Sequence, residues 1–279
     1  MKLAVALTML STVATQSRMA GQTTEPDQTP PASSSTAVPP GSQAQVPIQQ
    51  PSPVFDRPVS WKLLVPNIVS DQKGIWLFPT RLTKRRTWIP TLAILGTTAA
   101  LIALDPHDAP YFRRTSSFNG FNSVFTGNAT SIGTLLTPVS LYGAGLFLKD
   151  PKMRGTALLA GEAVGDVEIL ATALKDATKR VRPAAVPANG NFSDTWFESN
   201  GSFLRGNGSM PSGHTIAAFS VATIVARRYG NHRWVPYVSY GMAALVGFSR
   251  LTLSAHFVSD VFVGAALGYS VSRFAVLRQ

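Results

Sequence analysis

Three short stretches hold the residue types that could do chemistry: Lys175-x6-Arg182-Pro183, Pro211-Ser212-Gly213-His214 and Ser249-Arg250-x5-His256-x3-Asp260. Cations and N–H donors gathered beside histidines suit the gripping of an oxyanion and an attack on its central atom. Lys175 and Arg182 lie seven residues apart, two turns along one helical face, so both cations are expected to point the same way. Pro183 is expected to close that helix, because the residue before a proline is pushed out of the α region. Taken alone, this stretch reads equally as an exposed basic helix end, which Lys179 and Arg180 would extend.

The second stretch opens an apolar helical run. A helix N-terminus offers unpaired N–H groups and a favourable dipole to an anion. Gly213 lets the backbone come close, Ser212 adds a hydroxyl donor, and His214 would lie beside the anion, placed to pass a proton to a leaving group. An ordinary capped helix is the competing reading. In the third stretch, His256 and Asp260 are four residues apart on what is expected to be a helix, hence neighbours on one face. A carboxylate that accepts a proton from one imidazole nitrogen leaves the other free to attack. Arg250 supplies a planar fork for two oxygens, which lysine could not imitate. A zinc site is the rival, but the four histidines include no pair at ligand spacing and cysteine is absent.

The elements that must position these residues read as helices. Apolar stretches of helical rather than alternating character occur at about 88–104, 132–148, 154–180, 212–229, 234–251 and 254–274. Clusters of Pro, Gly and Asn at 105–130 and 184–210 are expected to be connections. The expected fold class is all-α, with six or more helices. Arg227 and Arg228 interrupt one stretch, and Glu162, Asp166 and Glu168 sit inside another. On that ground these helices fit a water-soluble core better than a lipid-facing one. In the 184–210 connection, Phe192, Trp196, Phe197 and Phe203 either line an entrance or anchor the loop onto the core.

Upstream, residues 1–20 read as a secretory signal, with Lys2 before the apolar stretch Leu3 to Ala14. Residues 21–54 hold eight of the twenty prolines among Ser, Thr, Gln and Ala, a composition expected to form a disordered tether. The folded domain is therefore 55–279, and an exported location follows, facing the periplasm or the exterior. The formal charge of +11 comes entirely from 55–279, where 23 Lys and Arg face 12 Asp and Glu. No interleaving of aromatic and basic residues marks a base-stacking surface, so nucleic acid ranks last among partners. An anionic substrate or membrane surface ranks ahead of it, and Arg81, Lys84, Arg85 and Arg86 could mark a membrane-surface contact.

Together and in this order, the three stretches resemble the motifs of the type 2 phosphatidic acid phosphatase (PAP2) superfamily, which also holds bacterial nonspecific acid phosphatases and vanadium haloperoxidases. Lys175, Arg182 and Pro183 match the first motif, Pro211 to His214 the second, and Ser249, Arg250, His256 and Asp260 the third. Gly208-Ser209 and Ser259-Asp260-Val261 are similar in the flanks. The resemblance covers about 175–260. It implies a compact antiparallel helical bundle and a phosphatase acting on phosphate monoesters or lipid phosphates and pyrophosphates. It further implies His256 as a nucleophile forming a phosphohistidine, Asp260 as its orienting partner and His214 as general acid and base. Lys175, Arg182, Ser212, Gly213 and Arg250 would bind phosphate. No cofactor is implied, with vanadate as an inhibitor. Phosphatidate, undecaprenyl pyrophosphate and soluble monoesters all fit the cradle. The alternatives are a vanadium-dependent haloperoxidase, which binds vanadate in the same cradle, and a non-catalytic membrane-surface scaffold. Association with the membrane, peripheral or integral, is compatible with each.

Overall fold

The computed structural model describes residues 57–81, 85–200 and 204–277. The expected leader, the tether and Lys84 lie outside the described residues. Among the described residues eight α-helices follow in order: α1 (Leu64–Trp76), α2 (Arg85–Arg114), α3 (Asn119–Val124), α4 (Gly127–Phe147), α5 (Pro151–Thr178), α6 (Gly213–Arg228), α7 (Trp234–Thr252) and α8 (Val258–Val271). No strand occurs among the described residues, and the all-α expectation holds.

The helix starts follow from their caps. Asp150 takes hydrogen bonds from the Lys152 and Met153 amides at 2.7 and 3.1 Å, with Pro151 in the first turn of α5. Thr126 caps α4 by accepting from Ala129 N at 3.0 Å. The 105–130 connection is corrected: α2 runs on through Pro106 and Pro110 to Arg114, and α3 and the first turn of α4 fill the remainder. Each proline removes only its own N–H from the ladder, and the end of α2 is held instead by its packing on α8.

Helix α6 is the centre, packed against α5, α7 and α8. Leu159, Ala160 and Ala163 of α5 meet Val221 and Ile224 of α6 beside Val276 and Leu277, while Val167, Leu170 and Ala171 meet Ile216, Val271 and Ala275. Small residues let the axes approach closely. A Cβ at Gly268 of α8 would fall 2.4 Å from the Ile216 carbonyl oxygen, so only glycine fits there. Each fully buried leucine such as Leu159 contributes roughly 1.5–3 kcal/mol.

Of the three acidic residues inside the α5 stretch, Glu168 is exposed, whereas the other two bear against the water-soluble reading. Glu162 and Asp166 are fully buried, accepting from Asn67 Nδ2 at 2.7 Å and Gln72 Nε2 at 2.9 Å of α1. Those carboxyls therefore face inward. Outward faces are apolar: Ile89, Leu92, Leu95 and Leu104 on α2, and Ile132, Leu135, Val139 and Phe147 on α4. The segment Thr87–Arg114 is long and apolar enough to cross a membrane, and only 6% of its most apolar window is buried. A soluble core helix would bury far more of such a surface.

Candidate active site

The three sequence stretches meet where the C-terminal end of α5, the N-terminal end of α6 and the loop between α7 and α8 converge. Backbone hydrogen bonds tie them together. The Arg250 carbonyl accepts from Ala255 N and His256 N at 2.9 and 3.2 Å, which folds the loop back and explains the spacing between Arg250 and His256. Ser212 N donates to Asp260 O at 3.0 Å, and Ser209 N donates to Arg180 O at 2.7 Å. Gly208 lies so close to α5 that a Cβ would fall 2.5 Å from the Lys175 carbonyl oxygen.

His256 is 3% exposed, and its hydrogen bonds fix its tautomer. Nδ1 lies 2.7 Å from the Ser209 carbonyl oxygen, which can only accept, so Nδ1 carries the proton. Nε2 then keeps its lone pair, facing Arg182 Nη1 at 3.4 Å. Two expectations are corrected here. His256 precedes α8 rather than lying on it, and Asp260, in the first turn of that helix, stands 3.7 Å from Nδ1, too far for a hydrogen bond. Asp260 acts by charge and through Ser209, whose hydroxyl donates to its Oδ2 at 2.6 Å. Phe257 N donates to the same oxygen at 2.9 Å. Burial pushes the His256 imidazole below its ordinary pKa against the opposing pull of Asp260, which favours the neutral ring. Burial alone would raise the Asp260 carboxyl, but His256, Arg180 and Ser209 together hold it below the usual value.

His214 lies half-buried in the first turn of α6. Its Nε2 stands 3.1 Å from Gly127 O and 2.7 Å from Ser131 Oγ, both on α4. The carbonyl again assigns the proton to Nε2 and leaves Nδ1 open. Burial first, and Arg250 second, push the His214 pKa down to about 4. The ring is therefore neutral near pH 7, and an arriving anion would favour its protonation.

Three cations converge without a carboxylate partner. Lys175 is desolvated, which lowers its pKa against the opposing pull of the Glu168 carboxylate, and Arg182 adds to the lowering. A Cβ on Gly213 would lie 3.0 Å from Lys175 Nζ, so the ammonium sits against the N-terminus of α6. Arg250 is 2% exposed and brought down to about 10 by burial and by Arg182. It is positioned by Phe125 O at 3.0 Å and Ser249 Oγ at 2.7 Å. Among the described residues, neither Lys175, Arg182 nor Arg250 forms an ion pair with a carboxylate. The Ser212 hydroxyl accepts from Thr215 at 2.9 Å rather than capping α6, so the first-turn amides stay available. Arg182 does not share a helical face with Lys175 as expected. Helix α5 ends at Thr178, Lys179 adopts a left-handed conformation with φ 42°, and Arg182 is extended. Pro183 thus follows the helix end by several residues.

Arg180 corrects the exposed-helix-end reading. It is 1% exposed, and its guanidinium bonds to Asp260 Oδ1, Asp105 Oδ2 and Ser259 Oγ, each at 2.7 Å. Trp196 and Phe257 lie against it at 4.5 and 3.8 Å from their ring centres. Trp196 is therefore a loop anchor. Phe192 also packs inward, on Phe257, whereas Phe197 is exposed, and Phe203 is outside the described residues. Asp105, Ser131 and Arg180 were not singled out by spacing, because their partners lie far away in sequence. No cluster of three or more His, Asp or Glu with metal-holding geometry occurs among the described residues.

The sequence profile of the PAP2 superfamily matches residues 155–279. Phosphatidylglycerophosphatase B of Bacillus subtilis is 33% identical over 158 residues, covering 53% of this chain and 70% of that protein. Lipid A 1-phosphatase of Porphyromonas gingivalis is 30% identical over 159 residues, covering 55% of this chain; the match spans 31% of that longer protein. The crystal structure of a transmembrane PAP2-type phosphatidylglycerolphosphate phosphatase from B. subtilis aligns over 75% of this chain and 94% of its own, with TM-score 0.42 and 22% identity.

Proposed function

The chain belongs to the PAP2 superfamily, and from that premise we propose that it is a phosphatase of lipid phosphates that works at a membrane without a metal ion. The observation that carries this reading is the convergence of buried Arg250 with half-buried Lys175 and Arg182, none of them in an ion pair with a carboxylate among the described residues. Burying such charges unpaired is expensive, and a phosphate group would neutralise them. The relatives named for lipid phosphatases, and the apolar outer faces of α2 and α4, support a lipid substrate.

In the proposed reaction, the His256 Nε2 lone pair attacks phosphorus, forming an N–P bond as the P–O bond to the alcohol breaks. His214, protonated in the complex, gives its proton to the departing oxygen. The neutral His214 then takes a proton from water as the water oxygen attacks phosphorus, and the N–P bond breaks to release orthophosphate. Lys175, Arg182, Arg250, the Ser212 hydroxyl and the Gly213 amide hold the equatorial oxygens, where transition-state charge accumulates. Vanadate, which mimics that geometry, is expected to inhibit.

We further take the expected leader to place the site on the periplasmic or exterior face. Intact cells are then expected to hydrolyse a phosphate ester that cannot cross the membrane. The test of the main reading is release of orthophosphate by purified enzyme in detergent from phosphatidylglycerophosphate, phosphatidate, lipid A, undecaprenyl pyrophosphate and p-nitrophenyl phosphate, with and without chelator. Turnover of a lipid ester in chelator is expected. No release from any substrate, or halide oxidation by peroxide after vanadate loading, would overturn it.

A further inference from the structure

Asp105 lies outside the three motifs and Arg180 is a spacer residue of the first rather than one of its matching positions, yet both are almost wholly buried beside the site. Asp105 comes from α2 and accepts three hydrogen bonds: from Arg180 Nη2 at 2.7 Å, from Ser259 Oγ at 2.5 Å and from Ser259 N at 3.2 Å. Asp105 and Arg180 thus form a buried ion pair at 2.7 Å, in which the guanidinium favours the carboxylate. Arg180 passes the connection on to Asp260 Oδ1, and Asp260 Oδ2 accepts from the Ser209 hydroxyl, while the Ser209 carbonyl accepts a hydrogen bond from His256 Nδ1.

We propose that Asp105 and Arg180 form a positioning pair that sets the charge balance and orientation of His256 from the far end of α2, acting through Asp260 and Ser209. Its catalytic consequence rests on the phosphatase reading above, while its electrostatic core does not. The groups that face His256 are Asp260 on α8, Arg182 on the loop, Lys175 on α5 and His214 on α6. None of these changes when Asp105 or Arg180 is replaced. With the imidazole neutral, Asp105, Arg180 and Asp260 together carry one net negative charge beside it. Asp105→Asn brings that to zero and makes an imidazolium less favourable. Arg180→Gln leaves two negative charges and makes it more favourable. Removing both restores one. A pair that merely filled space would not give shifts of opposite sign that cancel.

The test is an NMR titration of the full chain in detergent micelles, labelled with 13C at histidine and assigned with His256→Ala. The pH dependence of kcat/KM on any ester that wild type hydrolyses is measured alongside. Asp105→Asn is expected to lower the His256 pKa by about 1 unit and to move the acid limb of the profile the same way. Arg180→Gln is expected to raise it by more, and the double variant to return it close to wild type. Arg180→Lys, which keeps the charge but not the fork, is expected to hold the pKa near wild type while kcat falls. Shifts of the same sign in both single variants, or no shift in Asp105→Asn, would overturn the proposal. Should Arg180→Gln not fold, the near-isosteric Asp105→Asn decides alone by the sign of its shift. The titration needs no turnover, so an inactive wild type would count against the phosphatase reading and leave this test intact.

Discussion

Helices α4 and α5 pack side by side but solve opposite problems. Along α5, Leu159, Ala160, Glu162, Ala163, Asp166 and Val167 are all fully buried. Along α4, Thr130 and Gly145 are the buried residues, and Ile132, Leu135, Leu136 and Val139 face outward. The inner helix thus hides two of its acidic side chains, Glu162 and Asp166, and the outer one carries oil where water would be expected. In water this arrangement would be inverted. Against lipid it is the stable one, because Glu162 and Asp166 each take a hydrogen bond from α1 inside while apolar faces need none outside. The site lies at one end of the inner set, with α4 contributing only the groups that hold His214.

That contrast can be broken at several depths. The largest effect is expected from His256→Ala, which removes the attacking nitrogen and should lower kcat by about 10⁴-fold or more, measured as orthophosphate release from a lipid ester. Next, His214→Gln is expected to slow turnover by roughly 10²–10⁴-fold for an alkyl leaving group and less for p-nitrophenolate, which needs no proton to depart. An equal loss on both esters would remove His214 from its acid role.

Within the inner set, Leu159→Ala is expected to destabilise the fold by about 2–5 kcal/mol, read from thermal unfolding in detergent, with the activity per folded molecule unchanged. Trp196→Ala takes one aromatic face from Arg180 and should weaken stability by about 1 kcal/mol. The smallest change in stability is expected on the outer face. Leu135→Ser, Leu136→Ser or Val139→Ser should each alter unfolding in detergent by less than about 0.5 kcal/mol, yet shift the protein away from the membrane fraction. Destabilisation as large as that of Leu159→Ala would mean that α4 is covered by protein rather than lipid.

The helices were legible because apolar periodicity reports burial against a common core. Thus α5, α6 and α7 lie within a few residues of where the sequence places them. Helix α2 was only half legible, since Pro106 and Pro110 read as stops, whereas packing on α8 carries the helix past them. Motif spacing also brought together the right side chains at the site, but not their local structure. The α5 helix breaks at Lys179, a residue with no turn signature, and that break turns Arg180 inward and Arg182 toward His256. Asp105 and Ser131 were silent for a different reason: their partners, Arg180 and His214, are supplied by folding rather than by neighbouring sequence. Glu162 and Asp166 misled because sequence shows that a charge exists, not which way it faces.

The most direct measurement is to mix the enzyme with a 32P-labelled lipid phosphate, quench in alkali during turnover and map the label by peptide. Label bound to the His256 imidazole, stable in alkali, lost in acid and absent from His256→Ala, is the predicted result. Steady release of orthophosphate with no label on His256 at any quench time, or label on His214 instead, would contradict it.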